Sequence, residues 1–565
     1  MKDVVIRLLK KAMKELDFRV KIKDSELENL IEIPKNPELG DYAFPCFFLS
    51  DKSGLDPHDI AVQIREEIGE PPATEFEDIQ VSGPYLNFFV NRKSLARQVV
   101  WDIIAQKKKY GRTNVGDKKK VIVEFSSPNI AKPFGIGHLR STIIGNSLSN
   151  ILEFTGHRVT RINYLGDWGT QFGKLLFGYK KFGSEKKLNR KLTQHLFEIY
   201  VEANKKKYEE EAREWFKKME NKEKSALLLW KFFRDISIEN FKGIYKTLGI
   251  KFDAYEGESM YNKKSRKVIE QLQEKRLLRK SKGALIIDLN KWGLENAVIE
   301  KSDGGTLYIT RDIAAAIDRY RRYKFDKMLY EVGQEQKLYF RQLFKILELM
   351  GYKWAQNCTH VDHGLYLDKN GKRFSTRKGK TVFMEEILEK TEHLAEKEIK
   401  KRVKKISKRE LQKRALKVAI ASIFYGDLKN NRKTDAIFDI KKFVSFEGDT
   451  GPYLMYSYAR ASSILRKSGA ILKKFELEKL EEKEIELVKK LSQFPEAVLN
   501  AWRNLNPSVI ANYSYQLAQI FNEFYHVCKV IGSEQETFRL ALVEAFRQTL
   551  KNSLSLLGIE TIEEM

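Results

Sequence analysis

Residues 121–156 constrain the fold of this chain more than any other stretch. Residues 121–125 are a short run rich in β-branched and aromatic side chains, which is typical of a strand buried in a parallel sheet. The loop 126–137 contains two prolines and two glycines, so it cannot continue a strand or a helix. Apolar residues then recur at helical spacing, and Gly156 stands where a helix cap belongs. The stretch therefore predicts a strand, a Gly-rich turn and a helix, which together form half of a nucleotide-binding βαβ unit.

The Gly-rich turn has the properties of a phosphate site. The start of the next helix carries partial positive charge and free N–H groups, and Gly135 and Gly137 let a phosphate approach without meeting a Cβ. Lys132, His138 and Arg140 add donors that suit a triphosphate. The alternative is an ordinary tight connection between strand and helix. The dinucleotide fingerprint does not fit, because Arg140 stands where its third glycine is required.

Length and charge restrict the possible partners. A chain of 565 residues exceeds what one core usually serves, which predicts two to four domains. The formal net charge of +26 favours a polyanion such as RNA, although a membrane surface or a solvated lysine-rich face would also fit. Residues 1–20 contain no apolar run long enough for export or for spanning a bilayer.

The cysteines indicate a reducing compartment. Cys46, Cys358 and Cys528 are odd in number and far apart, which does not suit a disulfide framework and predicts a cytoplasmic location. The stretch 358–367 brings together residue types that bind metals, namely Cys358, His360, Asp362 and His363. Its alternating pattern also suits an ordinary strand, so we expect no protein-bound metal site.

The pattern along the chain predicts four regions. Residues 1–115 form a first unit with helices over 2–16 and 57–68 and a strand within 83–90, followed by a charged linker at 107–120. Residues 116–384 form an α/β domain with a connective insertion around 184–300, in which residues 184–248 are charged and helical in pattern. Residues 385–410 are a helical connection, and 411–565 are almost wholly helical. In this last region tyrosines interleave with basic residues, which suits stacking on unpaired RNA bases, although aromatic residues at helical spacing are equally typical of a core.

Residues 126–175 resemble the first half of the catalytic domain of arginyl-tRNA synthetases, which are class I aminoacyl-tRNA synthetases. The turn 135–138 stands at the ATP signature of that class. Four further blocks follow in the family's order, at 163–169, 306–312, 375–379 and 448–453. The resemblance implies a multidomain α/β protein: a Rossmann-like catalytic domain with a helical insertion, an α+β N-terminal domain and an all-α anticodon-binding domain.

The resemblance also implies the activity. The carboxylate of L-arginine would attack the α-phosphate of ATP, bound as its Mg²⁺ complex, and release pyrophosphate. The arginyl adenylate would then esterify the terminal adenosine of tRNA(Arg). We expect activation that depends on tRNA, a monomer, and no membrane partner.

The candidate site residues fall into four groups. The reacting groups are expected to be His138, Lys132, Arg377 and Lys378. ATP binding is expected at Gly135, Gly137, His138, Ser375 and Thr376. Arginine binding is expected at Ser127, Asn129, Glu258, Tyr308, Asp312 and Gln336, where carboxylates would accept the forked guanidinium donors. The tRNA is expected to contact Tyr453, Tyr456, Arg460 and Met565.

Two of these roles have alternatives, since Asp312 could cap a helix and Glu258 could be a surface turn residue. The chain also departs from the class twice. Gly135 replaces the first histidine of the ATP signature, and residues 374–378 lack the Lys-Met-Ser-Lys-Ser spelling of the second motif. Two other interpretations therefore stay open: a small-molecule nucleotidyltransferase, which leaves the helical third unused, and an RNA-binding protein with a decayed active site.

Overall fold

The computed structural model describes residues 2–18, 22–34, 36–130, 134–184, 195–302, 308–368, 370–374, 383–403, 405–469 and 475–565. The chain forms two compact units. The first contains Met1–Lys108, Ile464–Ser492 and Ile520–Gln548, and the second contains Lys109–Ser463, Gln493–Gln519 and Thr549–Met565.

The first unit contains a small antiparallel sheet covered by helices. Its strands are β1 (Tyr42–Pro45), β2 (Phe76–Ser82) and β3 (Tyr85–Val90), in the order β1-β3-β2. Its first helices are Lys2–Glu15, Asp24–Leu30, Phe47–Ser53, Pro57–Ile68 and Arg92–Gln106. Pro57 suits the first helical position, where Asp56 caps two N–H groups. The predicted helices 2–16 and 57–68 and the strand within 83–90 are confirmed.

Helices from the last third of the sequence complete this unit. Helix Glu482–Ser492 belongs to it entirely. The buried carboxylate of Glu484 accepts a hydrogen bond of 2.7 Å from Arg539 Nε. Arg97 Nη2 donates to the carbonyl oxygen of Leu477 at 3.1 Å. The first unit is therefore built from residues 1–108 together with two segments of the last fifth of the sequence, 464–492 and 520–548.

The second unit contains a five-stranded parallel sheet in the order β11-β10-β4-β5-β6. The strands of this unit are β4 (Lys120–Glu124), β5 (Arg158–Leu165), β6 (Ala254–Gly257), β7 (Arg279–Ser281), β8 (Ala284–Ile287), β9 (Ala297–Glu300), β10 (Lys327–Gly333), β11 (Cys358–His363), β12 (Tyr366–Leu367) and β13 (Ala436–Ile437). The strand predicted at 121–125 is confirmed as β4. From β4 the sheet continues to β5 and β6 on one side and to β10 and β11 on the other. A ligand crevice is therefore expected at the carboxyl ends of β4 and β10, the neighbouring strands where the strand order changes direction.

The helix that follows β4, Ile136–Phe154, is named here the signature helix. Gly156 follows its end with φ +91°, a left-handed conformation that glycine adopts freely. Gly145 lets the helix lie close to the sheet, because a Cβ at this position would be 2.2 Å from the Phe125 ring. The predicted unit of strand, turn and helix is confirmed.

The insertion between β5 and β6 is helical. Its helices are Thr170–Phe182, 195–203, Glu209–Glu220 and Lys224–Thr247. After β6 come helix Asn262–Glu274 and a three-stranded antiparallel sheet in the order β7-β8-β9. The helical pattern predicted for residues 184–248 is confirmed in the described helices, and the region around 184–300 also contains the short strands β7–β9. These strands are only three or four residues long, which is too short to show an alternating pattern.

Helices make up most of the remaining chain. They are Tyr308–Tyr323, Lys337–Leu349, Met384–Arg402, Lys408–Leu428, Ile440–Phe443, Gly451–Ser468, Phe494–Arg503, Ser508–Val527 and Glu536–Leu556. The prediction of a helical connection and a helical last region is confirmed for the described residues.

The end of the chain packs against the signature helix. Ser147 Oγ donates to the carbonyl oxygen of Leu556 at 2.9 Å, and Asn150 Nδ2 donates to that of Ser555 at 3.3 Å. Gly558 has φ +76°, and a Cβ there would lie 2.6 Å from Asn146 Nδ2. Three acidic residues of the terminal segment contact two other helices through the pairs Lys417–Glu560, Tyr458–Glu563 and Arg414–Glu564.

The segment predicted as a charged linker at 107–120 is packed in place. Tyr110 is 6% exposed and stacks on Phe494 with ring centroids 6.1 Å apart. Its carbonyl oxygen accepts a hydrogen bond from Asn552 Nδ2 at 3.2 Å.

Among the described helices, none combines the length and apolar composition that a bilayer crossing requires.

Candidate active site

The loop after β4 adopts an unusual backbone conformation. Ser126 and Ser127 have φ values of +71° and +43°, which non-glycine residues adopt rarely and at a cost. The Ser126 N–H donates to Ser141 Oγ on the signature helix at 2.9 Å, which holds this conformation. Ser127 Oγ is buried and has no hydrogen-bond partner among the described residues. This hydroxyl is therefore available to a ligand.

A buried cluster of polar side chains fixes the loop to three other elements. Ser126 Oγ lies 2.7 Å from Thr142 Oγ1 and 2.7 Å from Tyr245 Oη. Asn163 Nδ2 donates to the same phenol at 2.9 Å. Burial raises the pKa of Tyr245, so the phenol stays neutral. The cluster joins the signature helix, β5 and the helix Lys224–Thr247 of the insertion.

The proposed ATP turn lies at the start of the signature helix. His138 is in the first turn, and its Nδ1 accepts from the Gly135 N–H at 3.3 Å. A Cβ added to Gly137 would have nothing within 4 Å, so the backbone faces open space. Gly135 also pairs with Phe383 in an antiparallel bridge, and the Met384 N–H donates to the Phe134 carbonyl oxygen at 3.1 Å. Residues 383–384 therefore lie against the signature turn. Five candidates lie outside the described residues: Lys132, Ser375, Thr376, Arg377 and Lys378.

Asp312 lies in the helix Tyr308–Tyr323, which is named here the pocket helix. Tyr164 Oη donates to its Oδ1 at 3.1 Å, and Tyr339 Oη donates to its Oδ2. Burial raises the pKa of Asp312, and the hydrogen bonds from Tyr339 and Tyr164 act against that rise. The alternative role as a helix cap is wrong, because Asp312 is inside the helix and its carboxylate binds two phenols.

Glu258 faces the same place from the end of β6. Its side chain is 12% exposed, so it is not a surface turn residue. Arg311 Nη2 lies 3.3 Å from Glu258 Oε2, and the Arg311 guanidinium lies 5.0 Å from the centroid of the Tyr308 ring. Burial raises the pKa of Glu258 to about 8, against the lowering effect of Arg311.

The turn that carries Glu258 is held by Asp167, which is completely buried. The Ser259 N–H donates to Asp167 Oδ1 at 2.8 Å, and Ser259 Oγ donates to Oδ2 at 2.7 Å. Arg234 Nε, from the insertion, donates to Oδ2 at 3.0 Å. A Cβ on Gly257 would lie 2.1 Å from Asp167 Oδ2, so only glycine fits there. Asp167 thus sets the position of the turn that carries Glu258.

A buried ion-pair network contacts the Tyr164 ring, and Tyr164 in turn binds Asp312. Arg319 is 1% exposed and contacts both Glu124 and Glu256, with its Nε donating to Glu256 Oε2 at 2.9 Å. Its guanidinium lies 4.8 Å from the centroid of the Tyr164 ring, the ring whose hydroxyl binds Asp312. Burial raises the pKa of Glu124 to about 7, against the lowering effect of Arg319. The network joins β4, β6 and the pocket helix.

Three of the residues expected to bind arginine, Glu258, Tyr308 and Asp312, lie close enough to interact electrostatically. Asn129 lies on the loop after β4, where it pairs with Gly166 in a parallel bridge. Gln336 lies in the turn before helix Lys337–Leu349, and its side chain is exposed. Sequence reasoning missed four residues of the site: Tyr164, Asp167, Arg311 and Tyr339. Three of these lie within the matching blocks 163–169 and 306–312, and that position is the signal that could have found them.

Comparison with known proteins then identifies the family. A family model described as tRNA synthetases class I (R), catalytic domain, matches residues 99–440. The chain belongs to the arginyl-tRNA synthetase family. Models of the arginyl-tRNA synthetase N-terminal domain and of the DALR anticodon binding domain match residues 3–90 and 454–565.

Arginyl-tRNA synthetases resemble this chain over its whole length. It is 43% identical to the arginine–tRNA ligase of Halothermothrix orenii, over 97% of this chain and 100% of that protein. It is 42% identical to that of Pediococcus pentosaceus, over 96% of each chain. The crystal structure of arginyl-tRNA synthetase from Plasmodium falciparum has a TM-score of 0.81 at 25% identity, covering 100% of this chain and 99% of that one. The Thermus thermophilus enzyme shares the fold, with a TM-score of 0.79 at 24% identity over 100% of both chains.

The residues with metal-binding side chains on β11 contact other groups of the protein. His360 Nε2 lies 3.0 Å from the Val332 carbonyl oxygen, Asp362 pairs with Arg432 at 2.9 Å, and His363 lies 2.7 Å from Glu331. In the described ranges, no group of three or more His, Cys, Asp or Glu side chains is arranged to hold a metal ion.

The expected tRNA contacts Tyr453, Tyr456 and Arg460 are partly buried and share one face of the helix Gly451–Ser468. The Arg460 guanidinium lies 4.8 Å from the centroid of the Tyr456 ring, and Tyr453 lies against Tyr515 with ring centroids 5.6 Å apart. Met565 is partly exposed at the end of the chain.

Proposed function

We propose that this arginyl-tRNA synthetase activates L-arginine in the crevice at the carboxyl edge of the central sheet. As a member of its family the chain is an arginine–tRNA ligase, which uses ATP, L-arginine and tRNA(Arg). The observation that carries the assignment is that two partly buried carboxylates, Asp312 and Glu258, lie close enough to interact electrostatically at the sheet edge from which the signature helix begins. Parallel sheets bind their ligands at this edge.

The carboxylate end of this crevice suits the guanidinium of arginine. Asp312 has each oxygen fixed by one phenol, and each oxygen keeps a further lone pair for a donor from the substrate. Glu258 Oε2 accepts no hydrogen bond in the described part of the chain. A planar guanidinium can donate to two carboxylates at once, whereas the compact ammonium of lysine cannot span them. Tyr308 and Gln336 complete the pocket in this proposal.

The loop after β4 suits the α-amino end of arginine. Ser127 Oγ is buried without a partner in the described structure, and Asn129 lies two residues further along the same loop. We assign the α-ammonium to this pair. The substrate carboxylate would then face the start of the signature helix, where the α-phosphate of ATP has to lie for attack.

ATP is assigned to the signature turn as its Mg²⁺ complex. The exposed backbone at Gly137, the helix dipole and His138 offer donors to the phosphates. Lys132 and the cations Arg377 and Lys378, with Ser375 and Thr376, are proposed to neutralise the charge that builds up on the phosphates. Residues 383–384 lie against the signature turn, which supports a return of the second motif toward ATP.

The tRNA is assigned to the helical last third, with Tyr453, Tyr456, Arg460 and Met565 as contacts. We further propose that activation of arginine depends on tRNA(Arg), that the chain is a monomer in the cytoplasm, and that its domains follow the boundaries 1–115, 116–384, 385–410 and 411–565. The three cysteines are free and buried, in keeping with a reducing compartment.

Arginine-dependent exchange of pyrophosphate into ATP, run with and without tRNA(Arg), tests this proposal. We expect exchange with arginine and tRNA together, little with arginine alone, and none with lysine. Exchange of equal rate without tRNA would remove the proposed dependence on tRNA. Tight binding of tRNA without any exchange would favour the alternative of an RNA-binding protein with an inactive site.

A further inference from the structure

The two carboxylates of the proposed arginine pocket have different partners. Within the described residues, the hydrogen bonds to the Asp312 carboxylate come from neutral groups, the phenols of Tyr164 and Tyr339. Glu258 instead lies 3.3 Å from a guanidinium that belongs to the chain itself, that of Arg311. The Arg311 side chain is 7% exposed, so the ion pair is shielded from water.

This difference determines the charge of the pocket. Asp312 and Glu258 contribute two negative charges when both are ionised, and Arg311 contributes one positive charge. The pocket is then left with one net negative charge, which matches one guanidinium side chain. Without Arg311 the same pocket would contain two unpaired carboxylates, and burial favours taking up a proton over holding both charges.

The geometry of the ion pair also leaves an acceptor for the substrate. Arg311 Nη2 is within ion-pair distance of Glu258 Oε2, yet this oxygen accepts no hydrogen bond among the described residues. Arg311 is held on its other side by the Tyr308 ring, at 5.0 Å from the ring centroid. Because a carboxylate has about four lone-pair sites, one contact from Arg311 supplies charge to Glu258 and leaves acceptor sites for a second guanidinium.

We propose that Arg311 is a positioning residue for arginine recognition: its charge favours the ionised form of Glu258, which is the form that binds the substrate guanidinium together with Asp312. The inference rests on the proposed arginine pocket and assigns a role to a residue that does not itself bind the substrate. It predicts that loss of Arg311 weakens arginine binding in a way that depends on pH.

The direction of this pH dependence follows from the groups around Glu258. Those groups are Arg311, Asp312 and Tyr308 on the pocket helix, Asp167 and Tyr164 from the β5 region, and Tyr339. Burial raises the pKa of Glu258 to about 8, and Arg311 lowers it. Only the ionised carboxylate binds a guanidinium well, so in the unmodified protein the KM for arginine falls as the pH rises through 8. Without Arg311 the pKa of Glu258 rises further, and the fall in KM moves to higher pH.

The test compares Arg311→Gln with the unmodified protein in pyrophosphate exchange with tRNA(Arg) present, from pH 6.5 to 9.5. We expect the KM for arginine to be about tenfold or more higher in the variant below pH 8, and the KM for ATP to be unchanged. The ratio of the two arginine KM values should shrink as the pH rises above 8. Titration of the arginine α-amino group affects both proteins equally and cancels in the ratio.

Two variants serve as controls. Arg321→Gln removes an arginine of the same helix that is 74% exposed and pairs with Asp318, so the KM for arginine should not change. Arg311→Lys keeps the positive charge beside Glu258, and we expect its KM and its pH dependence to stay close to those of the unmodified protein. If Arg311→Gln does not fold, a large loss in Arg311→Lys that is independent of pH overturns the proposal.

Asp312→Asn and Glu258→Gln separate failure of this inference from failure of the pocket assignment. A KM ratio for Arg311→Gln that stays within twofold at every pH, while Asp312→Asn raises the KM strongly, overturns the role of Arg311 alone. Unchanged arginine KM values in Asp312→Asn and Glu258→Gln show that the pocket lies elsewhere, and then both proposals fail.

Discussion

Replacing Asp312 with asparagine should reduce the use of arginine far more than it changes the fold. The side chain keeps its size, but the negative charge that the guanidinium requires is lost. An amide also has a single oxygen, so either Tyr164 or Tyr339 has to accept a hydrogen bond where it donated one before. The pocket would thus lose its charge and the arrangement of lone pairs that a guanidinium recognises.

The expected magnitude follows from the partly desolvated position of this carboxylate. Removing one partner of a buried, hydrogen-bonded charge pair costs about 2–5 kcal/mol. A value of about 3 kcal/mol corresponds to a fall in kcat/KM for arginine of roughly 150-fold. Because burial raises the pKa of Asp312, the folded protein holds this charge at a cost, and its removal should leave the Tm nearly unchanged.

The assay is arginine-dependent pyrophosphate exchange with saturating tRNA(Arg), together with thermal unfolding. Asp288→Asn is a matched control, since Asp288 pairs with Arg279 in the small antiparallel sheet and should not affect exchange. The KM for ATP should be the same in all three proteins. An arginine kcat/KM for Asp312→Asn within threefold of the unmodified value would refute the assignment of Asp312 to the pocket.

Three further changes test other parts of the molecule. Lys132→Ala should slow single-turnover adenylate formation by about a hundredfold while tRNA binding stays the same, because one well-placed donor to the phosphates is lost. A rate within about twofold of normal would mean that other cations supply this charge. Tyr245→Phe removes the hydroxyl that Ser126 Oγ and Asn163 Nδ2 share, and it should lower the free energy of unfolding in urea by about 1–3 kcal/mol. An unchanged urea midpoint would show that water replaces the hydroxyl. Gly145→Ala should lower the free energy of unfolding by about 1–3 kcal/mol, since its Cβ would lie 2.2 Å from the Phe125 ring, whereas the Cβ of Gly243→Ala meets nothing within 4 Å and should not lower it. Equal effects of the two changes would contradict the close packing at Gly145.

The sequence could predict the parts of the fold that depend on local pattern. The strand, turn and helix of residues 121–156 follow from β-branched residues, prolines, glycines and helical spacing, all within one stretch. Asp312 and Glu258 could be proposed as candidates because a guanidinium substrate requires carboxylates, and Asp312 also lies within the matching block 306–312. The strands at 279–300 were not accessible, since three or four residues cannot show a period of two.

The groups that hold the carboxylates depend on the order of strands in the sheet. Tyr164 lies 148 positions before Asp312 in the sequence, and Tyr339 lies in the helix after β10. Arg319 joins two carboxylates on β4 and β6 that have no periodic relation to it. Such contacts arise from the way β5, β6 and β10 are arranged, and a pattern along one chain contains no information on that arrangement.

The contacts of residues 555–558 with the signature helix have a consequence for the order in which the second unit folds. The carbonyl groups of Ser555 and Leu556 accept hydrogen bonds from that helix, and Gly558 lies against it. The hydrogen-bonded partners are 409 and 405 positions apart in the sequence, so each contact closes a very long loop. Contacts of such separation form slowly, and we therefore expect the helix that begins at the proposed ATP turn to gain this part of its packing late in folding.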